Sequence, residues 1–109
     1  MAAGPLHAQS QGVTDKEVLI GSIQDLSGSL AGYSKMAVAG MQMRMDEINN
    51  AGGLNGRRLQ LMVEDSAYTL TRAVQVAQKL VNQDRVFVMA GSIGSVVNNT
   101  AMPILFEKM

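Results

Sequence analysis

Cysteine is absent from the chain. Disulfides, thiolate metal sites and a cysteine nucleophile are excluded together. There is one histidine, His7, in a polar stretch with little pattern, so imidazole acid–base or metal chemistry has almost nothing to work with. Charge of either sign is not in excess. Nine Lys and Arg balance nine Asp and Glu, and no basic cluster exceeds Arg57-Arg58. Nucleic acid and anionic membrane surfaces are therefore poor candidates as partners. No apolar run reaches the roughly 18 residues of a membrane span, which speaks against stable membrane insertion. GxxxxGK does not occur, and Gly91-Ser92-Ile93-Gly94 is not GxGxxG. No nucleophile–base pair stands out, so the chain offers no candidate for catalysis and calls for no cofactor or metal.

What is present is a globular composition: 47% hydrophobic and 17% charged residues, which argues against disorder. With 109 residues the chain is one domain at most. It buries roughly 60 to 70% of its extended surface, enough for a core with little margin. Residues 1–15 read as a disordered leader or as a signal-peptide remnant, with Leu6-His7-Ala8-Gln9 resembling the end of a secretory leader. The basic start and apolar stretch of a complete signal are not seen.

The rest is organised around Val18 to Ser34, VLIGSIQDLSGSLAGYS. Val18, Leu19, Ile20 and Ile23 predict a strand over Val18 to Gln24, covered on both faces. A glycine- and serine-rich loop follows. A helix is expected from Ala31 or Ser34 to Asn50, with Ala37, Met41, Met45 and Ile48 buried and Lys35, Gln42, Asp46 and Asn49 wet. Its methionines Met36, Met41, Met43 and Met45 read as core filling rather than as a binding face. Asn49-Asn50-Ala51-Gly52-Gly53 is a helix stop, and Leu54-Asn55-Gly56 a tight turn. A second strand is expected over Arg58 to Glu64. A second helix over Leu70 to Asn82 buries Ala73, Val76, Ala77 and Leu80, capped by Thr69 or Asp65. Val86 to Ala90 predicts a buried third strand. A third helix starts near Ser95 and runs toward Met109, kinked or restarted at Pro103.

This β-α-β-α-β-α order, with short connections, predicts an α/β fold: a three-layer doubly wound parallel sheet with strand order 2-1-3. Ligands of such sheets bind beyond the carboxyl ends of the strands, where the winding reverses. That crevice lies between strands one and three, at the loops Ser27 to Ser34 and Gly91 to Ser95. The candidate ligand-binding residues are Ser27, Tyr33, Ser92, Gly94 and Ser95. Serine hydroxyls and N–H groups at a helix start favour a carboxylate or phosphate, and Tyr33 suits an apolar or aromatic ligand part. The alternative is that both are ordinary βα turns, which favour glycine and serine in any case. Asp25, Glu64 and Asp65 stand at strand ends, where carboxylates can hold Mg²⁺, but capping and hydrogen bonding are the simpler roles.

The words IGSIQDLSGSLAGYSKMAVAGMQMRMDEINNAGGLNGRRLQLMVEDSAYTLTRAVQVAQKLVNQDRVFVMAGSIGS resemble a known family. EINNAGGLNGRRLQLMVEDSAY is the most specific of them. The family is the type I periplasmic solute-binding proteins of ABC transporters, in its branched-chain amino-acid group. The resemblance covers residues 16–109 and implies part of an N-terminal lobe, in proteins about three times longer. It implies a small-molecule ligand, an amino acid or a related amide or carboxylate. It also implies an ABC transporter permease as partner and a periplasmic location. First-lobe contacts would come from the loop holding Ser27 and Tyr33 and from Gly91 to Ser95, with the carboxylate held near Gly94 and Ser95. Relatives carry a serine cluster where this chain reads Ser92-Ile93-Gly94-Ser95-Val96, and often a proline where it reads YTLTR. A flavodoxin-like cofactor domain, with Tyr33 stacked on a flavin, is an alternative, as is a non-functional gene fragment with a bare edge on strand three.

Overall fold

The computed structural model describes residues 11–108; the start of the expected leader, residues 1–10, lies outside them. The sheet has three parallel strands in the order β2-β1-β3, as the alternation of strands and helices predicts. β1 (Glu17–Gln24) is central. It pairs along its whole length with β2 (Arg58–Asp65), from Glu17 opposite Arg58 to Gln24 opposite Asp65. On its other side it meets β3 (Val88–Met89) at Ile20 and Gly21. Gly21 permits that approach: a Cβ there would stand 2.7 Å from Met89 Sδ and 3.2 Å from a Val86 methyl.

Two helices, α1 (Ala31–Asn50) and α2 (Leu70–Gln78), are the crossovers, and α3 (Ser95–Lys108) follows β3. Right-handed crossovers put α1 on one face of the sheet and α2 on the other. Accordingly, the core cluster joins Ile23 of β1 with Ala73, Val76 and Ala77 of α2 and Val97 and Ala101 of α3. Leu80 and Val86 complete it, both fully buried. Each large apolar side chain buried there contributes about 1.5–3 kcal/mol. Thr69 caps α2, its Oγ1 accepting from Arg72 N–H at 3.4 Å. Asn55 (φ 53°) and Gly56 (φ 82°) form a two-residue turn closed by Leu54 N–H to Arg57 O at 2.7 Å. Two successive left-handed residues are what such a turn demands and Asn-Gly supplies.

The structure departs from sequence expectation in five places. The second helix does not stay α-helical to Asn82: after Gln78 it widens into a π-turn, Lys79–Gln83, which keeps Leu80 and Val81 buried. The run Val86 to Ala90 is not a buried strand throughout. Only Val88–Met89 pairs as a strand, and Phe87 and Val88 are 46% and 42% exposed. The physical reason is position. Among the described residues β3 is the sheet edge, so its outer flank lacks the cover that an apolar run presupposes. α3 runs through Pro103 as one helix, so it does not restart there. Of the four methionines of α1, only Met45 is buried and Met41 half-buried. Met36 and Met43 are exposed, because residues seven apart share a helix face and these two fall on the wet one.

Asn49, expected on that wet face, is the fifth departure. Its Oδ1 accepts from Leu59 N–H at 2.8 Å and its Nδ2 donates to Leu59 O at 2.9 Å. One side chain thus pairs the outer edge of β2 as a neighbouring strand would. Removing it leaves two part-buried backbone groups without partners, so Asn49→Ala is expected to lower unfolding stability by about 1–3 kcal/mol. Urea denaturation followed by circular dichroism checks this, with a change below about 0.5 kcal/mol contradicting it.

Candidate functional site

Three loops leave the carboxyl ends of the strands: residues 25–30 after β1, 66–69 after β2 and 90–94 after β3. Each has backbone groups that no strand partner reaches, and buried side chains satisfy them. Asp25, fully buried, accepts from Gly28 N–H at 2.5 Å and from Leu30 N–H at 2.7 Å, while its own N–H donates to Ser34 Oγ at 3.2 Å. Gly28 must lack a side chain, because a Cβ would stand 2.7 Å from Asp25 Oδ1. Asp65 ties the first loop to the second. Its Oδ1 accepts from Leu26 N–H and Ala67 N–H, both at 2.8 Å, and its Oδ2 from the Ser27 hydroxyl at 2.7 Å. Burial pushes the Asp65 carboxyl up. The hydrogen bonds from Leu26, Ser27 and Ala67, with the positive charge of Arg72, outweigh it and hold the pKa below the ordinary value.

The third loop is stitched to β1. Ser92 Oγ accepts from Ile23 N–H at 3.0 Å, Ile93 N–H donates to Ile23 O at 3.0 Å, and Gln24 Nε2 donates to Gly91 O at 2.7 Å. Gln24 Oε1 is buried with no partner among the described residues. Gly94 (φ 119°) then opens α3, its carbonyl accepting from Asn98 N–H at 2.8 Å. The N–H groups of Ser95, Val96 and Val97 have no intrahelical acceptor, as in the first turn of any helix.

Ser27, Ser92, Gly94 and Ser95 therefore all stand at the carboxyl end of the sheet, at the β1–β3 switch point. Two of the hydroxyls are partly committed. Ser27 spends its hydrogen on Asp65 and keeps oxygen lone pairs, so it can accept. Ser92 spends an oxygen lone pair on Ile23 and keeps its hydrogen, so it can donate. Ser95 is exposed at the helix start. Tyr33 is 68% exposed on the first turn of α1, with no side-chain bond to the other four. Sequence reasoning named Gln24 as a strand end and Tyr68 within YTLTR but assigned neither to the site. Tyr68 lies against Gly94: a Cβ at 94 would stand 3.0 Å from its Cε1. Asp25 and Asp65 cap backbone N–H groups of the loops. Glu64 turns away to Lys79 at 2.9 Å, and the described residues hold no group of three ligands for a metal ion. That Lys79 also meets Asp84 at 2.8 Å, and the bonds to Asp84 and Glu64 raise its pKa.

An apolar groove of about 550 Å³ runs beside the third loop, lined by Phe87, Val88, Met102, Leu105 and Phe106. It follows the uncovered flank of β3 and α3 and reaches the third loop at Gly91 and Ser92. No helix among the described residues is long and apolar enough to cross a membrane.

The periplasmic binding protein family matches this chain over residues 17–108. The chain belongs to that family. In sequence it is 37% identical over 78 residues to the leucine-, isoleucine-, valine-, threonine- and alanine-binding protein of Pseudomonas aeruginosa, covering 72% of this chain and 20% of that protein. In structure it is similar to a fatty acid ABC transporter substrate-binding protein from Thermomonospora curvata (TM-score 0.86, 29% identity, 92% of this chain, 25% of that one). It is also similar to the branched-chain amino-acid transporter substrate-binding protein LivJ of Streptococcus pneumoniae in complex with isoleucine (TM-score 0.80, 31% identity, 85% and 27%). The chain thus spans about a fifth to a quarter of the length of these relatives. They are named as binding proteins, not enzymes. Membership of this periplasmic binding protein family takes precedence over the flavodoxin-like alternative.

The depressed pKa of Asp65 fixes a pH dependence. Its folded value lies below the ordinary 3.8, so its contribution to stability is complete above about pH 4 and fades as pH falls through the folded value. Asp65→Asn is expected to cost about 1–2 kcal/mol at neutral pH, and the gap to the unaltered chain should close on acidification below about pH 4. Denaturation curves at several pH values test it; a gap independent of pH would assign the cost to something other than the carboxylate charge.

Proposed function

We propose that this chain contributes first-lobe binding surface to the solute-binding component of an ABC importer for amino acids or related small carboxylates and amides. It is not an enzyme in this reading. Its partners are the small ligand and a transporter permease, and its compartment is the periplasm. The observation that carries the reading is that the Gly94–Ser95 helix start and the Asp65-tethered first loop both follow the carboxyl ends of the adjacent strands β3 and β1, in a chain of this family.

Each group has a part suited to its remaining hydrogen-bonding capacity. Free N–H groups at Ser95 and Val96, the Ser95 hydroxyl and the Ser92 hydrogen suit a carboxylate. The Ser27 oxygen, polarised by its bond to Asp65, suits a donor such as an ammonium or amide. Tyr33 supplies an exposed ring above the first loop. Gly94 lets the backbone come close.

These groups lie on an exposed surface, and affinity in such sites depends on burying most of the ligand. Isothermal calorimetry of the chain with a panel of amino acids is therefore expected to show no micromolar binding. Amide NMR with millimolar L-leucine is expected to shift signals confined to residues 26–34 and 91–97. Micromolar binding would contradict the open-surface argument, and L-leucine shifts clustered elsewhere would contradict the site.

A further inference from the structure

The corner between α1 and β2 holds the one asparagine, among the described residues, that stands outside a helix and precedes a glycine. Asn55 and Gly56 are both exposed. The Gly56 N–H has no acceptor among the described residues, and a Cβ built on Gly56 meets nothing within 4 Å. The other asparagines differ. Asn49, Asn98 and Asn99 are each followed by a residue of the same α-helix, whose N–H is held in the helical ladder. Ala51 N–H, after Asn50, donates to Glu47 O at 3.1 Å. Asn82 precedes Gln83 inside the π-turn.

Asparagine is among the thermolabile residues, and an unbonded, unshielded N–H on the next residue is what its loss of amide requires. We propose that Asn55 is a self-deamidation site. The step needs only hydroxide and water. Hydroxide takes the Gly56 amide proton, and the nitrogen attacks Asn55 Cγ. The new N–Cγ bond forms as the Cγ–Nδ2 bond breaks, and Nδ2 takes a proton from water and leaves as ammonia. Water then opens the cyclic imide. Breaking the N–Cγ bond gives aspartate. Breaking the bond from the nitrogen to the Asn55 main-chain carbonyl gives isoaspartate, whose backbone runs through Cβ and Cγ. No atom changes oxidation state. Isoaspartate adds a methylene to a turn with none to spare: Leu54 N–H to Arg57 O at 2.7 Å and Arg57 N–H to Leu54 O at 3.0 Å close over two residues. Arg57 Nε also donates to Thr14 O at 2.7 Å, and Arg58 N–H to Lys16 O at 2.8 Å. The corner thus sets where β2 begins to pair with β1. It lies at the amino end of β2, away from the candidate ligand loops at the carboxyl ends.

The 109-residue chain is incubated in isotopically labelled water at mildly alkaline and at mildly acidic pH, and its peptides are weighed at intervals. Residue 55 is expected to lose its amide and take up labelled oxygen before any other asparagine, and faster at the alkaline pH. The aged chain is expected to unfold at a lower urea concentration than the fresh one, while the NMR amide signals of residues 26–34 and 91–97 stay in place. Asn55→Gly accepts the left-handed backbone and carries no side-chain amide, so its urea midpoint is expected to hold through the same incubation. Asn55 keeping its amide while another asparagine loses its own would overturn the inference. So would an Asn55→Gly chain that weakens as fast as the unaltered one.

Discussion

A parallel strand that ends in the middle of a sheet leaves backbone groups with no strand to pair with, and at the carboxyl end of β1 two aspartates answer that need. Asp25 takes two N–H groups of the following loop. Asp65, from the neighbouring strand, takes one from each of two loops and a hydroxyl besides. Charge-assisted bonds of this kind are roughly twice as strong as neutral ones, and here they replace ladder bonds where the ladder stops. Ser34, Ser66 and Gln24, all fully buried, extend the same polar interior. The candidate ligand groups therefore sit on loops held before any ligand arrives, which spares a binding event part of the ordering cost it would otherwise meet.

The two faces of the sheet divide the work. The α2–α3 side carries the apolar cluster. The carboxyl end and the α1 side carry polar contacts such as Gln24 with Ser22 at 2.7 Å. This division lets a chain with a modest core present a well-ordered polar surface.

Much of this is legible in the sequence, because apolar periodicity reports which face is dry. Ala73, Val76, Ala77 and Leu80 are buried as their spacing predicts. The order 2-1-3 follows from alternating elements and crossover handedness, and with it the place of the site. Legibility ends where a residue's role depends on a distant partner. Asn49 reads as wet by helical phase, yet it serves a strand ten residues on. Val86 to Ala90 reads as buried because its composition is that of a strand covered on both sides, and the described residues do not cover it. Tyr68 carries no local sign of a left-handed backbone: the φ is imposed by Asp65 and Ser66, and only coordinates show the ring against Gly94.

The pair of hydrogen bonds between Asn49 and Leu59 makes the sheet's two margins unlike. On the β2 side an amide imitates a strand and then stops, offering nothing for a further strand to copy at that point. On the β3 side, among the described residues, backbone and apolar side chains lie open. Accretion of new strands, whether from the same polypeptide or another, is thus directional: the sheet can be lengthened past β3, whereas at Leu59 its other border is already sealed.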